Sequence, residues 1–156
     1  MDLTAVFDFT IPTLHPLAVH LPIIAIPVAA VAAIGYAALG GPRWMHTAFG
    51  AALVGAAGAL FATRTGESLE HSMEGDPMVE LLIESHEWAG EWTLYTAAAA
   101  ALILAVLTWR ARKRDAVAED PLWARVVVAL LLVSSAGLVL YAGHVGATMV
   151  WGVPAG

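Results

Sequence analysis

Residues 126–151 read VVVALLLVSSAGLVLYAGHVGATMVW, a run with one histidine and no Asp, Glu, Lys or Arg. At about 1.5 Å of rise per residue it is longer than the roughly 20 residues that cross a hydrocarbon core about 30 Å thick. A helix buried in a soluble bundle keeps a polar stripe at a spacing of about 3.6 residues, and this run has none. Three further uncharged stretches have the same character: Leu17 to Leu39, Trp44 to Thr63 and Trp92 to Trp109. The sequence therefore predicts an all-α fold, an up-down antiparallel bundle of four transmembrane helices. It forms a single membrane domain over residues 1–156, with helices at about 16–40, 44–72, 84–110 and 121–152.

Composition points the same way. Apolar residues make up 60% of the chain and charged residues only 13%, against about 45–50% and 25% in soluble domains. The chain has no cysteine, which excludes disulfides, thiolate zinc, iron–sulfur clusters and covalently attached c-type haem. A net charge of −6, with no interleaving of basic and aromatic residues, sets nucleic acid aside. No Lys or Arg precedes the first apolar run, so it lacks the basic region of a secretory signal and is expected to be retained.

Pro16 opens the first helix, and Gly40, Gly41 and Pro42 end it. Pro22 and Pro27 lie inside and predict a kink beside His20. In the second helix Gly50, Val54, Gly58 and Ala62 share one face, with Ala51, Gly55 and Ala59 on the next, a pattern that lets membrane helices approach closely.

Orientation follows from the basic residues. Arg43 lies between helices one and two; Arg110, Arg112, Lys113, Arg114 and Arg125 lie around the link from three to four. The other side holds both termini and a segment from Thr65 to Glu91 with eight carboxylates. Both termini are therefore expected outside, in the periplasm if the membrane is the inner membrane of a bacterium. Within the acidic segment a break is expected at Gly75, Asp76 and Pro77, followed by a short amphipathic piece from Met78 to Ile83.

Ionisable groups in a membrane are costly and mark function by default. With this topology His15, His20, His71, His86 and His144 gather at the outer side and only His46 at the inner one. His20 and His144 lie deepest, one and two turns inside their helices; His15 and His86 form an outer tier, His86 ahead of the interfacial aromatics Trp88 and Trp92. Imidazoles from opposing helices with small residues alongside suit a haem. Gly143 and Gly146 flank His144, and Gly90 lies on the face of His86. Arg64, the one base on the acidic side, emerges where haem propionates would project.

Each of these residues also has a plainer account. His15 caps the first helix; His71, between Glu67 and Glu74, belongs to a solvated ion-pair face; His46 is interfacial; His20 and His144 hydrogen-bond across helices. No G-x-S-x-G, Walker loop, H-E-x-x-H or Glu-x-x-His pair is present, so hydrolysis, nucleotide chemistry and di-iron carboxylate chemistry recede.

The opening segment Leu14-His15-Pro16-Leu17-Ala18-Val19-His20-Leu21-Pro22 resembles H-P-x-x-V-H-F-P, a signature of the bacterial membrane family labelled domain of unknown function 2231. Gly143-His144-Val145-Gly146-Ala147-Thr148-Met149-Val150-Trp151 is similar to its closing G-H-x-G-x-x-L-V-Y, and His86 falls where its third helix often begins. Leu21, Ala147 and Trp151 depart from the pattern; no histidine does. The resemblance spans the chain and implies that His15, His20, His86 and His144 are the motif histidines. It also implies a Rieske or c-type cytochrome module as redox partner.

The expected function is a membrane b-type cytochrome, an electron carrier more than a stand-alone enzyme. It would hold one or two haem b groups, with His20 and His144 as the inner axial pair and His15 and His86 serving a second haem. The first alternative is a cofactor-free anchoring subunit that docks a redox or sensory partner through the acidic segment; under any of these readings a homo-oligomer stays open. The second is a histidine–carboxylate site for copper, zinc or iron, copper being preferred for imidazole ligands alone.

Overall fold

In the computed structural model, residues 14–70, 77–113 and 120–152 are described. They form five helices: α1 His15–Ala18, α2 His20–Leu39, α3 Pro42–Glu70, α4 Pro77–Lys113 and α5 Leu122–Trp151. Helices α1 and α2 are one membrane segment broken at Val19. Pro16 occupies the first turn, where its missing N–H costs nothing. Pro22 has no N–H to offer the carbonyl of Ala18, and the break falls at that turn, beside His20 as the prolines predict. At the far end Gly40 and Gly41 take φ of 66° and 86°, left-handed values that glycine adopts freely, and the chain reverses there into α3.

Four segments are long and apolar enough to cross a membrane: His15–Leu39, Pro42–Glu67, Val79–Lys113 and Leu122–Trp151. They pack in a closed ring, α2 against α3, α3 against α4, α4 against α5, and α5 back against α2. Thus α2 and α4 stand diagonally opposite. The histidine end of the bundle is where α1 and α4 start and α3 and α5 finish; Arg43, Arg110, Arg112 and Lys113 mark the opposite, basic end.

The helices bury their small residues and expose their large ones. Ala29, Ala33, Ala48, Ala52, Ala97 and Ala100 have no accessible surface, whereas Ile24, Val31, Leu102 and Leu130 are 62–68% exposed. Leaving such a side chain in water forgoes about 1.5–3 kcal/mol of burial; in hydrocarbon it loses nothing, and close backbone approach through alanine and glycine supplies the contacts. Gly55 and Gly58 do this at the α2–α3 seam. A Cβ at Gly55 would lie 2.6 Å from Ile26 Cγ1, and one at Gly58 2.6 Å from Leu21 Cβ. Gly50, on the same predicted stripe, faces open space.

The acidic segment differs from expectation. Helix α3 runs to Glu70, and α4 begins at Pro77, not near residue 84. The piece from Met78 to Ile83 is the start of the third span itself. Leu81, Leu82, Glu80 and Glu84 are good helix formers, and Pro77 sits where an N–H is dispensable, so nothing interrupts the helix as it leaves the bilayer. The predicted break at Gly75 and Asp76 and the residue His71 lie outside the described residues.

The basic end is tied by side chains. The Tyr36 hydroxyl donates to Asp120 Oδ2 at 2.6 Å, the Arg125 guanidinium lies 6.0 Å from the Tyr36 ring, and the Lys113 ammonium lies 4.2 Å over Trp109.

Candidate functional site

At the histidine end, the diagonal helices bring two imidazoles together. The His15 and His86 ring centroids are 5.9 Å apart and their planes are inclined by 75°. Both rings are half-buried. Each is fixed by a main-chain carbonyl of the next helix: His15 Nδ1 is 2.9 Å from the oxygen of Ala62 on α3, and His86 Nδ1 is 2.9 Å from the oxygen of Ala142 on α5. A carbonyl only accepts, so each Nδ1 carries the hydrogen and each neutral ring keeps its lone pair on Nε2. Thr65 Oγ1, which donates to the carbonyls of Phe61 and Ala62, stands 3.4 Å from His15 Nδ1.

Glycines make room for both rings. A Cβ at Gly66 would lie 3.2 Å from His15 Cε1, and one at Gly146 3.1 Å from His86 Cε1. Two turns deeper than His86, Ser135 Oγ donates to the carbonyl of Thr93 at 3.0 Å and Thr93 Oγ1 to that of Ala89 at 2.7 Å, both buried. Hydrocarbon offers no alternative partner, so these hydroxyls turn to carbonyls within the bundle.

The other predicted residues lie elsewhere. His20 and His144 are exposed on the outer surfaces of α2 and α5, so the buried histidine contact is His15 with His86 and not His20 with His144. His15 does not cap the first helix: Leu14 holds that position without a side-chain bond, and the His15 ring crosses to α3. Arg64 is exposed and 3.8 Å from Glu67, an ion pair in solvent. Gly90 meets only Thr63 Cγ2, at 3.8 Å, Gly143 faces open space, and His46 is exposed near the basic end. Of the four glycine and arginine positions expected to border a cofactor, Gly146 alone touches a paired histidine. Sequence reading missed Gly66 and the carbonyls of Ala62 and Ala142, because a main-chain acceptor has no residue-type signature. Among the described residues no group of three or more His, Asp or Glu side chains is placed to hold a metal ion.

A family model described as a predicted membrane protein, domain of unknown function 2231, matches residues 11–156. No curated protein and no solved structure matches.

Proposed function

The chain belongs to that family of predicted membrane proteins, and from this premise we propose that it is a b-type cytochrome, an electron carrier with His15 and His86 as the axial ligands of one haem. The observation that carries the reading is the carbonyl-anchored pair. The two rings lie 5.9 Å apart, each tethered through Nδ1 to a different helix, so His15 and His86 are the residues that would hold the haem iron. Histidine ligands almost always donate their second ring N–H to a carbonyl or carboxylate, which fixes tautomer and orientation; both rings do so here. Two protein ligands are few for a zinc site, which takes three or four, but suffice where a macrocycle fills the remaining positions.

Haem iron supplies one-electron chemistry, its potential tuned by axial ligands, hydrogen bonding and burial. The chain's part is to hold both imidazoles and to keep their Nδ1 hydrogens on carbonyls, which leaves each neutral ring's Nε2 lone pair for the iron. The basic residues at the far end favour a histidine end that faces outward, toward the periplasm if the membrane is a bacterial inner one. The exposed carboxylates of Glu80, Glu84, Glu87 and Glu91 form one acidic stripe along α4 at that end and favour a redox partner with a basic docking face. An optical spectrum of protein produced with ample haem, oxidised and then dithionite-reduced, tests the reading. Bands of a low-spin bis-imidazole haem are expected; a colourless preparation overturns it.

A further inference from the structure

The two anchoring arrangements are the same arrangement twice. In each, a histidine at this end of the bundle gives its Nδ1–H to an alanine carbonyl near the end of the following helix, and a glycine four residues after that alanine lies against the ring. Ala62 and Gly66 serve His15; Ala142 and Gly146 serve His86. The cores keep step with this register. Counting from each histidine, Ala18 matches Ala89, Ile26 matches Ala97 and Ala29 matches Ala100. Counting from each acceptor alanine, Ala48 matches Val128, Ala52 matches Leu132 and Ala59 matches Val139; all twelve are buried. In the ring α2 and α4 stand diagonally opposite, each followed by the helix that supplies its acceptor, and His15 and His86 meet between them.

We propose that Gly66 and Gly146 are equivalent positioning residues of two matching half-sites. By leaving room at each Cε1 they let each Nδ1–H reach its carbonyl, so that both Nε2 lone pairs stay available to one ligand. This rests on the cytochrome reading for the identity of the ligand, but not for the positioning itself. The spacing explains why the residue is glycine. A Cβ at the last position of the turn from 62 to 66, or 142 to 146, would stand 3.2 or 3.1 Å from the Cε1 of the ring, so the ring must shift by a few tenths of an ångström away from its hydrogen-bonded place.

The test uses the full chain in detergent with 15N-labelled histidine and no added haem. It compares wild type with Gly66→Ala, Gly66→Val, Gly146→Ala and Gly146→Val, and with Gly50→Val and Gly137→Val, whose Cβ positions face open space. Wild type is expected to show both rings protonated at Nδ1. Variants at Gly66 should lose that signature at His15 alone and variants at Gly146 at His86 alone, valine more than alanine; the controls should lose neither. The alanine variants keep the test decisive should valine prevent folding. With haem supplied, each glycine variant should retain it about 10- to 100-fold more weakly than the controls. Unchanged tautomers in the glycine variants, or an effect at only one of the two glycines, would overturn the proposal. A tautomer response in the glycine variants, together with a wild-type protein that takes up no haem, would uphold the positioning role and refute the cytochrome reading.

Discussion

His15 and His20 sit five residues apart on one membrane segment, yet they live in different media. Successive residues turn about 100° around a helix, so these two point roughly 140° apart. His15 is half-buried on the carbonyl of Ala62, and His20 is exposed. His86 and His144 repeat the contrast on the other side of the bundle. The difference teaches that depth in a membrane does not decide whether an imidazole can serve a site. What decides is whether the ring faces a neighbour whose backbone can take its N–H, because lipid supplies no such partner.

The sharpest way to break the contrast is to move the helix that carries His15. A leucine at Gly58 would have to displace Leu21 and the backbone of Pro22, whose nitrogen lies 3.2 Å from that Cβ. Gly58→Leu should cost about 3 kcal/mol of stability, the upper part of the usual overpacking range, and should abolish the Nδ1 signature of His15. Gly137→Leu, on the helix of exposed His144, should do neither. Thermal unfolding in detergent with histidine NMR reads both.

Next comes the far end. Tyr36→Phe removes the hydrogen bond to Asp120 and should cost about 1.5 kcal/mol, as for bonds to charged groups. The histidine signals should remain as in wild type, since His15 lies 21 residues away along the same segment. Ser135→Ala deletes one buried bond below the pair and should cost about 0.6 kcal/mol, the average for membrane hydrogen bonds. Smallest of all, Arg64→Ala should change stability by less than about 0.5 kcal/mol, because its pair with Glu67 is solvent-exposed. Unfolding curves at low and high salt check this value.

The spans were plain from hydropathy, as were the close α2–α3 seam at Gly55 and Gly58 and the break beside His20, since each follows from local composition. The gathering of histidines at one end also follows from counting residues along each span. Which of them meet does not. Helix rotation inside the bundle is set by alanine and glycine contacts summed over four helices, and a near-uniform apolar span such as α5 carries little signal for its own rotation. The continuous course of α4 from Pro77 was hidden by its change of solvent, acidic outside and apolar within. The anchoring carbonyls of Ala62 and Ala142 were invisible because every residue has one.

The account turns on His15 and His86 being the ligand pair. The direct measurement is the reduced-minus-oxidised spectrum of four single variants, His15→Ala, His86→Ala, His20→Ala and His144→Ala, each produced with ample haem. Loss of the bis-imidazole bands in the first two and their retention in the last two is the predicted result. Bands that survive the loss of His15 and of His86, or that vanish with His20 and His144 instead, would contradict it.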